Sequence, residues 1–334
     1  MKTHYVIPIF IPEKACPFRC VYCNQYHISA TLQSPMPEEI TKTIDTYLQH
    51  MPPHAFKRIA FFGGSFTGMS IDEQNQYLDL TLPYIEKGLI NEIQLSTRPD
   101  YITPQILVNL KQYHVGIIEL GAQSLKDDVL KQANRGHTVK DVEVASQLIR
   151  QYGFKLGLQM MIGLPGDSYD KAMFTANKII EWGADYTRIY PALVIKDTEL
   201  AQLYLNKQYT PLPLDEAVRW CNDLLDLFIK HNVNILRIGL HPSEGLINAT
   251  HLLAGPFHVS FKELVLSAWW AEHFYKKIGE QRGNSIVITV NSKQVNAAIG
   301  YKRQNKNNLL SQFKFVTFIA DDFLHMWESN YTIH

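Results

Sequence analysis

The sequence predicts an α/β fold in which parallel strands alternate with helices, followed by a smaller C-terminal α+β module. Three observations predict it. Apolar, strand-like runs recur at Tyr5–Pro12, Arg58–Phe62, Glu92–Thr97, Gly116–Leu120, Lys155–Ile162 and Tyr186–Tyr190. A longer stretch with helical spacing follows each run, so this part of the chain reads as six βα units. After about Ile195 the alternation stops. Alternating units with right-handed crossovers build either a doubly wound sheet or a barrel, and both place ligands beyond the carboxyl ends of the strands.

Between the first two strands, Pro37–Met51 reads as a helix, with Pro37 in its first turn and Glu38-Glu39 beside the positive end of its dipole. Ile71–Lys87 reads as a single helix behind Ser70, an N-cap residue. Beyond Ile195, helical stretches run over Thr198–Lys207 and Leu214–His231, and a strand over Asn234–Ile238. The C-terminal module opens with a helix over Phe261–Ile278 and a strand over Ser285–Val290. A polar segment through Asn308 and a strand-like Phe313–Ile319 complete it.

With 334 residues and 46% hydrophobic content, the chain can bury a large core. Its formal net charge is zero, which excludes a polyanion-attracting field over the whole molecule and leaves only local basic surface. Tyr5–Pro12 is too short for a signal-peptide core or a membrane span, so a cytoplasmic protein with no membrane association is expected. Four cysteines are too few for a disulfide scaffold of this size. Three of them fall within eight residues, and that clustering points to metal.

Cys16, Cys20 and Cys23 form C-x3-C-x2-C directly after the first strand. Soft thiolates suit iron–sulfur clusters and zinc, and three cysteines would leave one iron of a [4Fe-4S] cluster open to an external ligand. Zinc is the competing reading, because His27 would complete a Cys3His site. After the second strand, Gly63-Gly64-Ser65 permits a close backbone approach to a ligand, or makes a plain strand-to-helix turn. The fourth strand ends in Gly121-Ala122-Gln123-Ser124, where polar side chains follow an apolar run; Arg135 downstream, taken alone, reads equally as a solvated surface charge. The fifth ends in Gln159-Met160-Met161-Ile162-Gly163-Leu164-Pro165, where Gln159 and Met161 share a face and Met161 reads as core. In the sixth, Arg188 and Tyr190 share a face that can point inward, and Tyr190 is a candidate contact. Cys221, in a helical stretch, reads as a small core hydrophobe. No His-Glu-x-x-His, Walker or dinucleotide fingerprint is present.

The cysteine loop resembles the cluster motif of the radical S-adenosylmethionine superfamily. Its Cys-Pro-x-x-Cys-x-Tyr-Cys-Asn-Gln form resembles the radical domain of the Elongator catalytic subunit, over roughly residues 5–240. The resemblance implies a partial (β/α)6 barrel over residues 1–240; residues 241–334 read from their own pattern as a C-terminal α+β module, a candidate for contact with substrate or RNA. The resemblance implies that Cys16, Cys20 and Cys23 ligate three irons of a [4Fe-4S] cluster, with S-adenosyl-L-methionine on the fourth. Tyr22 would then lie near the adenine, Gly63, Gly64 and Ser65 at the methionyl amine, Gln123 near the ribose and Arg135 near the carboxylate. Gln159, Gly163 and Pro165 would line the adenine side, and Tyr190 would contact substrate or cofactor. The activity implied is hydrogen abstraction by a 5′-deoxyadenosyl radical, with a reductant such as ferredoxin or flavodoxin supplying the electron.

The Elongator subunit also carries an acetyltransferase domain. Here Glu280-Gln281-Arg282-Gly283-Asn284-Ser285 does not match that domain's pyrophosphate loop, so acetyl transfer is not expected. The substrate stays open between transfer RNA, a small molecule and a tetrapyrrole. For RNA, residues 276–314 carry eight basic side chains against Glu280 alone, a local charge of +7 in a chain of zero net charge. Within that segment Tyr301, Lys302, Arg303 and Lys306 combine a stacking ring with phosphate-binding cations.

Overall fold

The computed structural model describes residues 4–12, 20–24 and 34–334. Seven strands form one parallel sheet in the order β1 (His4–Ile11), β2 (Phe56–Gly63), β3 (Glu92–Thr97), β4 (Val115–Gln123), β5 (Lys155–Ile162), β6 (Tyr186–Pro191) and β8 (Asn234–Ile238). Spatial order follows chain order, as in a half-barrel and not a doubly wound sheet, which settles the alternative left open by the strand pattern. β8 adds a seventh strand to the six expected, pairing parallel with β6.

Connecting helices cover one face of the sheet. They are α1 (Pro37–His50), α2 (Ile71–Asp79), α3 (Leu82–Glu86), α4 (Pro104–Gln112), α5 (Asp127–Gln132), α6 (Val139–Gln151) and α7 (Tyr169–Glu181). Ile7, Ile9 and Ile11 of β1 and Leu156, Leu158, Met160 and Ile162 of β5 turn toward that layer and are buried. The alternate positions face the concave side. Side-chain caps fix where the helices begin: Thr103, Thr138 and Ser168 each accept a backbone N–H three residues on. At Ser70 the cap is reciprocal, because the Glu73 carboxylate accepts the Ser70 N–H at 3.1 Å. The single helix expected over Ile71–Lys87 is two, α2 and α3. Pro83 has no N–H, and its ring would clash with the carbonyl four residues back, so the first helix ends at Asp79.

After β6 the chain makes a short ribbon of β7 (Val194–Ile195) with β9 (Leu252–Ala254). Between these strands lie α8 (Glu199–Leu205), α9 (Leu214–Lys230), β8 and α10 (Glu244–Ile247). α11 (Phe261–Ile278) then joins the two sheets. Its Trp269 donates to Asp226 of α9 at 3.2 Å, while its Trp270 donates to Gln294 at 3.1 Å. One hydrophobic core therefore continues from Ile238 through Phe261 and Trp270 to Ile288.

The C-terminal sheet has the order β11 (Phe313–Asp321), β10 (Gly283–Asn291), β12 (Ser329–Ile333). β10 and β11 are parallel, so a crossover must join them, and the polar segment supplies it as α12 (Val295–Ile299) and α13 (Gln304–Leu309). β12 pairs antiparallel with β10 and has no counterpart in the sequence reading. Its Ser-Asn-Tyr-Thr-Ile sequence is too polar to register as an apolar run. Cys221 lies in α9 without exposed surface, and burial pushes its thiol well above the ordinary range, consistent with a core role. Among the described residues no helix is long and apolar enough to cross a membrane.

Candidate active site at the carboxyl ends of the strands

Because the seven strands of the large sheet are parallel, their carboxyl ends converge on one side. β1 delivers the chain there at Ile11, and the segment carrying the cysteines follows. Cys16 and His27 lie outside the described residues, whereas Cys20, Tyr22 and Cys23 are within them. Cys20–Cys23 is a tight turn closed by the Cys23 N–H on the Cys20 carbonyl at 3.0 Å. Its middle is pinned from both sides: the Val21 N–H donates to Ala133 at 3.1 Å, and the Val21 carbonyl accepts from Leu200 at 2.7 Å. The buried Val21 side chain packs among Ala133, Met161, Leu164 and Leu200.

Arg135 ties this turn to β4. Its Nη1 lies 3.3 Å from Cys20 Sγ, and its Nη2 donates to the Gly121 carbonyl at 2.9 Å. The Arg135 carbonyl in turn accepts from buried Arg98 at 2.8 Å, and Arg98 pairs with Asp100 at 2.9 Å. Arg135 is 8% exposed, so it is not a solvated surface charge. Burial holds the Tyr22 phenol well above its ordinary value, against the pull of Arg135, so Tyr22 keeps its proton.

Gly63 and Gly64 close over the end of β1. The Gly64 N–H donates to Ile11 at 2.7 Å, and a Cβ on Gly63, whose φ is +110°, would fall 2.2 Å from the Ile11 carbonyl oxygen. Glycine is required here by backbone-to-backbone contact immediately before the cysteine segment. Ser65 is buried and its hydroxyl is engaged, accepting the Arg98 N–H at 2.9 Å and meeting Thr97 Oγ1 at 2.9 Å. Ser65, with Ile11, Phe62, Gly64 and Ser96, borders a small cleft beside the end of β1.

Gln123 ends β4 in the left-handed region, at φ +63°, and accepts from Gln159 Nε2 at 3.0 Å. The two amides therefore meet on the concave face. Met161 is buried beside Val21, matching the core assignment. Gly163 turns at φ +74°; its N–H donates to Asp167 at 2.8 Å and its carbonyl accepts from Tyr209 at 2.5 Å. Pro165 is buried within that turn. Burial raises Asp167 to about 6, against the N–H groups of Gly163 and Ser168.

Deeper in the concavity lies a charge network that the sequence reading did not assemble. Glu119 of β4, 3% exposed, takes both Arg188 Nε at 2.5 Å and Arg188 Nη2 at 2.9 Å. Its Oε1 also accepts from Gln94 of β3, and Gln94 Oε1 accepts from Arg58 of β2 at 3.2 Å. Arg58 closes the row on Glu92. Burial works against the Arg188 cation, but Glu119 outweighs it and holds the guanidinium above its ordinary value. Arg188 Nη1 lies 3.4 Å from Tyr190 Oη, so the shared inward face expected for these two exists. The signal available in the sequence was the period of two: Arg58, Glu92, Gln94, Glu119 and Arg188 are polar interruptions in otherwise apolar strands. Arg98, Tyr209 and His137 were also missed. His137 is 4% exposed, and its value falls to about 2 through burial, then Arg135 and Arg98, so it is neutral.

Chemically, the arrangement offers soft sulfur donors on a pinned turn, a guanidinium against one of them, and glycine backbone at the end of β1. Among the described residues no three His, Cys, Asp or Glu side chains converge on one point. Two thiols with a third cysteine upstream fit an iron–sulfur cluster better than a hard, oxygen-ligated cation.

Comparison with known proteins places the chain in a family. The family model of the Radical SAM superfamily matches residues 11–179, and that of the Radical_SAM C-terminal domain matches residues 184–282. The chain is 28% identical over 224 residues to an uncharacterised protein of Methanocaldococcus jannaschii, covering 65% of each. To a tRNA uridine(34) acetyltransferase of Dehalococcoides mccartyi it is 28% identical over 249 residues, covering 62% of this chain and 53% of that one. To Elongator complex protein 3 of Homo sapiens it is 36% identical over 143 residues, covering 40% of this chain and 26% of the relative. The chain thus spans 65% or less of the length of these relatives. Among solved structures, archaeal Elp3 of Methanocaldococcus infernus superposes with a TM-score of 0.65 at 20% identity, covering 84% of this chain and 64% of that one. At that identity the likeness supports the fold alone.

Proposed function

Because the chain belongs to the radical S-adenosylmethionine superfamily of enzymes, we propose that Cys16, Cys20 and Cys23 hold a [4Fe-4S] cluster and that S-adenosyl-L-methionine binds beside it. When bound, the cluster supplies the electron that splits the cofactor into methionine and a 5′-deoxyadenosyl radical, which takes a hydrogen atom from the substrate. The chain's own residues position and enclose that chemistry. The observation that carries the reading is the cysteine turn, fixed through Val21 to Ala133 and Leu200 and through Cys20 to Arg135.

In this reading the backbone of Gly63, Gly64 and Ser65 receives the methionyl amine, and the Arg135 guanidinium receives its carboxylate. Gln123, oriented by Gln159, faces the ribose, while Tyr22 and the Gly163–Pro165 turn flank the adenine. Tyr190 and Arg188 line the substrate side of the concavity, where Glu119 fixes the guanidinium. Water exclusion follows from the close packing of the Val21 cluster at the strand ends. The electron comes from a reductant such as ferredoxin or flavodoxin.

For the substrate we propose transfer RNA, with Lys302, Arg303 and Lys306 contributing phosphate contacts. Two relatives are named for tRNA uridine modification or as Elongator complex protein 3, and residues 276–314 carry the +7 excess. Acetyl transfer is not part of the proposal.

Anaerobic reconstitution tests the central claim. About four iron and four sulfide per chain are expected, as for three-cysteine clusters. Alanine at Cys16, Cys20 or Cys23 should remove the brown chromophore, and Cys221→Ala should leave it. Tight zinc binding without iron uptake would overturn the reading.

A further inference from the structure

A second cleft lies at the carboxyl ends of β6 and β8, on the same side of the sheet as the cysteine turn. Pro191, Leu193, Gly239, Pro256, Phe257 and His258 line it. His258 meets the ring of Tyr301 edge-on, with centroids 5.4 Å apart and an interplanar angle of 89°. His258 therefore joins the cleft to Tyr301, in the loop that opens the most basic part of the C-terminal module.

That loop has an unusual backbone. Gly300, Lys302 and Arg303 have φ of +89°, +51° and +64°, and two adjacent left-handed residues with long side chains are disfavoured. The surroundings enforce the conformation. The Tyr301 N–H donates to Ser267 Oγ at 2.7 Å, and buried Asn305 donates to the carbonyls of Ser267 at 2.9 Å and Ala298 at 3.2 Å. A Cβ on Gly300 would stand 2.8 Å from the Asn305 N. Backbone strain held in place by its neighbours marks a loop kept for what it displays. Here it displays Lys302 and Arg303, both exposed, with Lys302 Nζ 5.5 Å from the Tyr301 ring centroid. Among the described residues no carboxylate pairs with Lys302, Arg303 or Lys306. Their charges are available to a ligand.

We propose that this loop and cleft form a subsite for one unpaired nucleotide of an RNA, with its base against the His258–Tyr301 ring pair and its flanking phosphates on Lys302 and Arg303. An aromatic platform beside unpaired cations is the chemistry that binds single-stranded nucleic acid, and every base offers a face to stack. This subsite rests on the RNA reading of the substrate, and it assigns the place where the strand next to the reacting nucleotide is gripped.

The test uses cluster-loaded full chain and two RNAs, a hairpin with a single-stranded loop and a fully paired duplex, in binding titrations over a salt series. Lys302→Gly/Arg303→Gly removes both charges while permitting the left-handed backbone. It should lower hairpin affinity about tenfold at low salt and reduce the slope of log affinity against log salt by about 1.4, the change expected for two single-strand phosphate contacts. Tyr301→Leu should cost at least about fivefold on the hairpin and little on the duplex, with Tyr301→Phe restoring hairpin binding. Iron content and melting temperature verify that each variant is folded. Salt-sensitive hairpin binding that none of these variants changes would overturn the subsite and leave RNA as the substrate. No salt-sensitive RNA binding by the unaltered chain would overturn both.

Discussion

Arg135 joins the cysteine turn to β4 through one guanidinium, with Nη1 3.3 Å from Cys20 Sγ and Nη2 2.9 Å from the carbonyl of Gly121. A planar fork can hold a sulfur and a carbonyl at once, which a lysine ammonium on a flexible stem cannot do with the same fixed spacing. A Cβ at Gly121 would stand 2.7 Å from Arg135 Nη2, so the backbone there has been cleared for this contact.

Arg135→Ala is expected to weaken S-adenosyl-L-methionine binding tenfold or more while leaving the iron content near its normal value, because the three cysteines remain. Arg135→Lys should recover only part of the loss. Equilibrium binding of the cofactor beside iron analysis measures both. Unchanged cofactor affinity in the alanine variant would remove Arg135 from the site.

The Glu119–Arg188 pair gives a prediction about stability. Both oxygens of a carboxylate that is 3% exposed are committed to one guanidinium. Glu119→Ala leaves that guanidinium buried against the Phe62 ring without a counter-charge, a loss of about 3–5 kcal/mol for breaking a buried pair from one side. Glu119→Leu/Arg188→Met removes both charges and should cost distinctly less than Glu119→Ala, because no uncompensated ion remains. Urea unfolding of the variants measures the difference. A double variant as unstable as the single one would show that packing, and not charge compensation, sets the cost.

The large sheet was legible in the sequence because six of its strands are apolar runs, each followed by a stretch with helical spacing. β8 was recognised as a strand, but its membership in that sheet depends on pairing with β6, which no local pattern encodes. Ile71–Lys87 was read through as one helix because its apolar spacing continues across Pro83; the steric argument at the proline should have taken precedence. The cysteines and the glycine pair were singled out by residue type and position after a strand, and Gln123 by the family resemblance of its stretch. The Arg58–Glu92–Gln94–Glu119–Arg188 row was not, since its members come from four strands and are neighbours only through the sheet register. β12 shows the opposite limit: a short polar edge strand is specified by its partner, β10, and by little in its own sequence.

Asp167 gives a pH-dependent prediction. Burial raises its folded value to about 6 from 3.8, even though it accepts the Gly163 N–H at 2.8 Å. The folded chain therefore holds this proton more tightly than the unfolded chain. Stability from this group is fully present below about pH 4 and is lost as pH rises through about 6. At pH 7 the carboxylate is ionised inside the Gly163–Asp167 turn, at a cost of at most on the order of 3 kcal/mol at about 1.4 kcal/mol per unit. Asp167→Asn keeps an oxygen to accept the Gly163 N–H and removes the titration. The variant should therefore melt higher than the unaltered chain at pH 7.5, and the difference should shrink steadily between pH 6.5 and 4. Melting temperatures of both proteins over that range measure it. A constant difference across the range, or an asparagine variant less stable at pH 7.5 than at pH 4.5 relative to the parent, would show that the carboxylate's charge is compensated in the turn.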